Sequence, residues 1–153
     1  MSRKVRIAGV GMIPFAKPGQ SEAWDVMAEK AVRLALTDAG LEYKLIQQAY
    51  AGYVYGDSTC GQSALYRVGI TGIPIVNVNN NCSTGSTALY LAHQLVELGG
   101  ADCVLAVGFE QMAPGALGNY FADRKGPMEK HIALQTQIQG LDPKAPCAAQ
   151  LST

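Results

Sequence analysis

The chain has 153 residues, enough for one domain with its own hydrophobic core and too few for a two-domain enzyme. Hydrophobic residues make up 48% and charged residues 16%, against a usual charged share of about 25%, so the composition excludes an intrinsically disordered chain. Twelve basic residues balance twelve acidic ones, and no basic stripe with interleaved aromatic residues is present. Charge therefore indicates neither a nucleic-acid partner nor an anionic membrane surface.

Targeting and metal-binding signals are missing from the sequence. It has no apolar run of about 18 residues and no secretory signal at its start, which predicts an intracellular protein that inserts into no membrane. None of the four cysteines forms a Cys-x-x-Cys pair or has a histidine at zinc-finger spacing, so we expect reduced thiols and no metal. The cysteines are Cys60, Cys82, Cys103 and Cys147.

Short β-type runs alternate with helical patterns, an arrangement typical of a parallel sheet with crossover helices. The first strand is predicted at Val5–Val10. A helix follows, for which Ser21 is the expected N-cap and Gly40 the expected C-terminal stop. The next β-type run, at residues 49–55, is predicted as the second strand.

The same alternation continues beyond the second strand. A short helix is predicted after Gly61, and a third strand at Ile73–Val78. Ser83–Leu98 has its apolar residues at helical spacing and ends at Gly99-Gly100. Cys103–Val107 is the fourth predicted strand. These elements predict an α/β fold, with a mixed, mainly parallel sheet and helices on both faces.

The character of the sequence changes near residue 119, where charges and prolines increase and the apolar period weakens. We therefore predict an α/β core at residues 1–118 and a loop or insertion region at residues 119–153. No closing strand follows this region, so we expect an incomplete sheet and a chain that is a portion of a longer protein.

The most informative segment joins the third predicted strand to a helix through Asn79-Asn80-Asn81-Cys82. This order places Cys82 at or next to a helix N-terminus, where unpaired N–H groups and the helix dipole stabilise a thiolate. The same N–H groups can stabilise an oxyanion on an acyl group attached to sulfur. Gly85, one turn into the helix, leaves room for a close approach. The alternative is that Cys82 is a small buried hydrophobic residue.

The other candidate groups are interpreted as structural or solvent-exposed. Cys60 has no long helix behind it and is predicted to be structural. His93 lies eleven residues beyond Cys82 on the same helix, about 16 Å away at ~1.5 Å per residue, so it is not the base for that cysteine. His131 lies among charged residues and is predicted to be solvated. The sequence thus offers a nucleophile without a base.

Two other motif classes are weak. Gly9-Val10-Gly11 is similar to the start of a dinucleotide-binding fingerprint, but residue 14 is proline and the third glycine is missing. No phosphate-binding Gly-Lys-Ser/Thr loop is present, and neither Ser58 nor Ser63 lies in a Gly-x-Ser-x-Gly motif.

Three stretches, Gly52–Gln62, Gly72–Ser86 and Gly108-Phe109-Glu110, closely resemble thiolases of the sterol-carrier-protein type. The resemblance covers nearly the whole chain and includes bacterial relatives described as lipid-transfer proteins. It implies a thiolase fold of two duplicated α/β halves, usually dimeric, of which this chain is the N-terminal portion. It also implies a role in lipid metabolism or lipid transport.

The resemblance implies that Cys82 is the catalytic residue of a thiolase, an acetyl-CoA or propanoyl-CoA C-acyltransferase. The cysteine attacks the keto carbon of a 3-oxoacyl-CoA, holds the acyl group as a thioester and passes it to coenzyme A. The Cys82 backbone N–H is placed in an oxyanion hole. Coenzyme A is then a co-substrate and no cofactor is permanently bound. The resemblance also places Asn77–Asn81 near a dimer interface.

The histidines and second cysteine of the family's C-terminal half have no counterpart among these residues. We therefore expect low activity of this chain alone, with a second copy or a C-terminal half as its partner. The alternative is a non-catalytic or retro-aldolase subunit of a complex acting on steroid or lipid CoA thioesters. A bacterial relative would be cytoplasmic and a eukaryotic one peroxisomal; the terminal Leu151-Ser152-Thr153 is not the peroxisomal Ser-Lys-Leu signal.

Overall fold

A computed structural model of the chain describes residues 3–114 and 121–140. The chain divides into two compact units, Met1–Met112 and Ala113–Thr153. Our predicted boundary between residues 118 and 119 stays a prediction. The first unit contains α1 (Trp24–Ala39), a 3-10 turn (Tyr43–Leu45), β1 (Gln48–Gly52), α2 (Cys60–Tyr66), β2 (Ile75–Val78), α3 (Thr84–Glu97) and β3 (Val104–Gly108). The second contains α4 (Glu129–Gln139).

The sheet has three parallel strands in the order β2-β1-β3. Gly52 at the end of β1 is in register with Val78 of β2 and with Gly108 of β3. All three strands therefore end at the same edge of the sheet, and the loops that follow them lie together there. In parallel α/β sheets this carboxyl edge is where ligands usually bind.

Helices cover both faces of the sheet, as predicted. Ala49 and Ala51 of β1 pack into one cluster with Val32 of α1 and Leu65 of α2. Tyr50 points to the other face and packs against Ala88 and Ala92 of α3. The alternation follows from the period of two along a strand. The small side chains of Ala49 and Ala51 let α1 and α2 pack closely against the centre of the sheet, and on the other face the small Ala88 and Ala92 make room for Tyr50.

The prediction of a strand at Val5–Val10 was wrong, and the described sheet has three strands instead of four. This segment lies along α1: a Cβ built on Gly9 would come within 2.5 Å of the Ala35 carbonyl oxygen, and the Val10 N–H bonds Asp38 Oδ2 at 2.9 Å. A strand requires a neighbouring strand that accepts and donates its backbone hydrogen bonds. Because Gly9 serves this contact with α1, the dinucleotide interpretation of Gly9-Val10-Gly11 gains no support.

The ends of α1 show what the sequence pattern could and could not identify. Gly40 has φ +64° and closes the helix, as predicted. Ser21 is not the N-cap, because the helix begins at Trp24 after Ala23, which has no capping side chain. The N–H of Trp24 instead donates to the side-chain oxygen of Gln111 at 3.1 Å. A residue from the loop after β3 thus replaces the local cap.

The second unit contains a helix that the sequence analysis did not predict. α4 has no buried residue, and it ends at Gly140 with φ +67°. Just before it, the N–H of Gly126 donates to the Glu129 carboxylate at 3.1 Å. Among the described residues of both units, no helix is long and apolar enough to cross a membrane.

Candidate active site at the turn before α3

Cys82 lies in the turn between β2 and α3, at the carboxyl edge of the sheet. It precedes Ser83, the N-cap of α3, and its side chain is exposed. The structure therefore contradicts the alternative interpretation of Cys82 as a buried hydrophobic residue. The predicted placement next to a helix N-terminus is confirmed.

The backbone of this turn is unusual at Asn81, which has φ +49°. Asparagine accepts this left-handed conformation better than most residues. The Asn79 side-chain oxygen accepts the Asn81 N–H at 3.2 Å, and the Asn80 carbonyl accepts the Ser83 N–H at 3.1 Å. Polar residues of the segment therefore bond one another and leave Cys82 at the outside of a fixed turn.

Thr84 holds this turn from the inside. It is the only polar residue that is buried among those the structure describes, with 5% of its surface exposed. Its hydroxyl accepts the N–H of Asn80 at 2.8 Å and donates to the carbonyl of Asn81 at 2.6 Å. The Thr84 N–H donates to the same carbonyl at 3.1 Å. One side chain thus contacts the backbone of both residues that precede Cys82.

Glycines at the strand ends make room for the first turn of α3. A Cβ built on Gly52 would come within 2.8 Å of Thr84 Cγ2, and one on Gly108 within 3.7 Å of Gly85 Cα. A Cβ on Gly85 itself would meet no described atom within 4 Å. The sequence predicts a close approach at Gly85. In the structure the close approach to α3 is at Gly52, a Cβ on Gly108 would be in ordinary van der Waals contact, and no described atom lies near a Cβ on Gly85.

Glu110 connects the loop after β3 to the loop after β1. Its carboxylate accepts the backbone N–H groups of Val54 at 2.8 Å and Tyr55 at 3.2 Å. Next to it, the ring of Phe109 stacks on Tyr53 with centroids 5.2 Å apart and on Trp24 at 5.6 Å. The loop after β3 and the loop after β1 are therefore fastened together. No sequence motif indicated this role of Glu110.

The other described cysteines differ from Cys82. Cys60 is buried, and its pKa is raised by burial and then by the negative charge of Asp57. Its backbone N–H donates to the Tyr53 hydroxyl at 3.3 Å. Cys103 is partly buried, and burial raises its pKa. Both environments disfavour a thiolate, which agrees with the structural interpretation of Cys60; Cys147 lies outside the described residues.

His93 is not placed as a base for Cys82. It is exposed on α3, with its Nδ1 3.6 Å from a carboxylate oxygen of Glu97, which agrees with its interpretation as a surface or interface residue. His131 is exposed on α4, in the second unit. Within residues 3–114 and 121–140, no group of three or more His, Cys, Asp or Glu side chains is arranged to hold a metal ion.

Comparisons with known proteins agree with this fold and motif. The N-terminal domain of thiolases matches residues 5–138. Sterol carrier protein 2 of Gallus gallus is 54% identical over 153 residues, which cover 99% of this chain and 28% of that protein. A benzoylsuccinyl-CoA thiolase subunit of Thauera aromatica is 37% identical over 141 residues, covering 89% of this chain and 36% of that one. The chain thus spans about a third or less of these relatives' length.

A solved structure shows the same fold at lower identity. The priming β-ketosynthase of the R1128 polyketide pathway has a TM-score of 0.62 and 22% identity, over 72% of this chain and 43% of that one. At this identity the likeness concerns the fold alone. The matched domain nevertheless covers most of the sequence and contains the turn that carries Cys82. This chain therefore belongs to the thiolase family, as part of its N-terminal domain.

Proposed function

We propose that this chain supplies the nucleophile of a thiolase-type acyltransferase. The Cys82 thiolate adds to the keto carbon of a 3-oxoacyl-CoA, and the bond between C2 and C3 then breaks. The acyl group stays on sulfur as a thioester, and the departing acyl-CoA carbanion takes up a proton. The thiol of coenzyme A then attacks the thioester, which restores the cysteine. The observation that carries this proposal is the exposed Cys82 fixed at the start of α3.

The Cys82 backbone N–H is the group we assign to the developing oxyanion. An N–H group at such a position stabilises the tetrahedral intermediate without reorganising during the reaction. We assign the proton donor and acceptor to residues other than His93, because His93 lies about three turns along α3 from Cys82. General acid–base help contributes ~10²–10⁴-fold, so acylation without it is expected to be slow.

The partner we propose is a second copy of the chain together with the C-terminal half of the family's fold. Among the described strands β2 lies at an edge of the sheet, since it pairs with β1 and with no other of them, and Val76 on it is 40% exposed. Asn77 next to it is held by the Gly61 N–H at 3.0 Å and by Gln62 at 2.7 Å. A neighbouring subunit at this edge would support the turn before Cys82. We further propose coenzyme A as co-substrate, no permanently bound cofactor, and a cytoplasmic location.

The test is acylation of each cysteine by acetoacetyl-CoA, followed by peptide mass spectrometry. We expect an acyl adduct on Cys82, no adduct on Cys60 or Cys103 in the same sample, and loss of labelling in Cys82→Ser. Absence of an adduct on Cys82, or equal labelling of all three cysteines, would refute the proposal. Steady-state turnover of acetoacetyl-CoA at ordinary thiolase rates would refute only the dependence on a C-terminal half.

A second candidate is a non-catalytic or retro-aldolase subunit acting on steroid or lipid CoA thioesters. Large apolar side chains are exposed along the segment before α1, which offers a surface for another subunit. They are Ile7 at 72%, Val10 at 67%, Met12 at 70% and Phe15 at 95% exposure. In this case Cys82→Ala binds the partner subunit as tightly as the wild type does, and neither protein forms an acyl adduct.

A further inference from the structure

We propose that Thr84 is a positioning residue for the Cys82 backbone N–H; this inference rests on the proposed function. The carbonyl of Asn81 and the N–H of Cys82 belong to one planar peptide group, in which they point in opposite directions. Whatever holds the Asn81 carbonyl therefore also sets the direction of the Cys82 N–H. In this structure Thr84 holds that carbonyl twice, through its hydroxyl at 2.6 Å and its N–H at 3.1 Å.

Asn81 is in the left-handed region, with φ +49°, where residues other than glycine lose free energy, so contacts from elsewhere have to hold this turn. A rotation of the peptide between Asn81 and Cys82 would turn the Cys82 N–H away from an acyl group on Sγ. The hydrogen bond from the Thr84 hydroxyl to the Asn81 carbonyl opposes this rotation. The same hydroxyl accepts the N–H of Asn80, so it also holds the residue before Asn81.

The rest of the Thr84 side chain keeps the hydroxyl in place. Its Cγ2 methyl lies only 2.8 Å from the point that a Cβ on Gly52 would occupy. Because the methyl is enclosed and the residue is 5% exposed, the hydroxyl cannot exchange its partners for water by changing rotamer. Gly52 and Thr84 thus act together on the peptide before Cys82.

Thr84→Val removes the hydroxyl and keeps the shape, so it tests the proposal most directly. Two rates are measured on Cys82: acylation by acetoacetyl-CoA, which forms an oxyanion, and alkylation by iodoacetamide, which does not. We expect acylation to fall about 10- to 100-fold and alkylation to change far less. Thr84→Ser keeps the hydroxyl and should restore acylation. Thr37→Val, which removes an exposed threonine hydroxyl bonded to the Arg33 carbonyl on α1, is the matched control.

Alkylation of the buried Cys60 in the same samples reports whether a variant has unfolded. If Thr84→Val unfolds the protein, Thr84→Ala is used as the hydroxyl-free variant and is compared with Thr84→Ser. Equal acylation of the hydroxyl-free variant and the wild type would overturn the inference and leave the proposed function intact. Equal losses in Thr84→Ser and Thr84→Ala would also overturn it. A wild-type chain that forms no adduct on Cys82 refutes the proposed function itself.

Discussion

Gly52 and Thr84 fit together so closely that a single added carbon at residue 52 would come within 2.8 Å of the threonine methyl. Gly52→Ala is therefore expected to lower the free energy of unfolding by about 1–3 kcal/mol, because overpacking forces α3 to shift. Gly85→Ala is the matched control, since a Cβ there meets no described atom within 4 Å. It should raise the free energy of unfolding by up to ~1 kcal/mol through helix propensity.

Urea unfolding of both variants measures this difference. The close fit at Gly52 would be disproved if the two alanine variants were equally stable.

The three cysteines that the structure describes should react with iodoacetamide in a fixed order. Of these, Cys82 is exposed and should react fastest, followed by the partly buried Cys103 and then by Cys60. Burial raises the pKa of both slower thiols, and Asp57 raises that of Cys60 further, so less thiolate is present at any given pH. Peptide mass spectrometry between about pH 7 and pH 9 resolves the order. Asp57→Asn should lower the pKa of Cys60; a faster Cys60 than Cys82 in the folded protein would contradict the structure.

Glu110→Gln should loosen the loop after β1. The carboxylate accepts two backbone N–H groups, and hydrogen bonds to a charged acceptor contribute about 1.5–3 kcal/mol each, roughly twice the neutral value. We expect the amide to lower the free energy of unfolding by roughly 1–3 kcal/mol and to speed hydrogen exchange of the Val54 and Tyr55 amides. Glu97→Gln, which changes a partly exposed carboxylate at the end of α3, is the control. Unchanged hydrogen exchange at both amides would show that the Glu110 carboxylate does not hold the loop after β1.

The ion pairs of Glu29 with Arg33 and Arg67 should make stability depend on pH. Glu29 accepts hydrogen bonds from Arg33 at 2.9 Å and Arg67 at 2.8 Å, and these bonds hold the pKa of Glu29 below its usual range. A lowered carboxyl pKa adds stability above the unfolded-state pKa, and this stability is lost as pH falls through the folded-state value. Glu29→Gln should therefore be less stable than the wild type near neutral pH and approach it in acid.

The control for Glu29→Gln is Glu42→Gln, which removes an exposed ion pair with Lys44. Thermal unfolding across the acid range, repeated at high salt, measures both variants. If the wild type is more stable than Glu29→Gln by the same amount in strong acid, the ion pairs are excluded as the source of the difference.

The α-helices and strands of the first unit could be predicted because each has a local signal. β1, β2 and β3 are short apolar runs, and α3 combines a helical period with glycines after its last turn. Their parallel order follows from the alternation of strands and helices. The position of Cys82 followed from the same order, because the residue lies between a strand and a helix.

What the sequence could not show depends on contacts between distant residues. Val5–Val10 has β propensity, but propensity does not supply the neighbouring strand that it needs. The hydrogen bond from Trp24 to Gln111 spans 87 residues, so no capping pattern near Ser21 could reveal it. Thr84 is next to Ser83 and looks like an alternative cap. Its second contact, with Gly52, becomes visible only when β1 lies beside α3.

The stacked rings of Trp24, Phe109 and Tyr53 give this protein an intrinsic optical signal. Trp24 is the single tryptophan of the sequence, and its ring lies 5.6 Å from Phe109, centroid to centroid. Phe109 follows β3 and Tyr53 follows β1, both at the edge of the sheet where Cys82 lies. The fluorescence of Trp24 therefore changes when these loops separate, and it follows the integrity of the carboxyl edge without any added label.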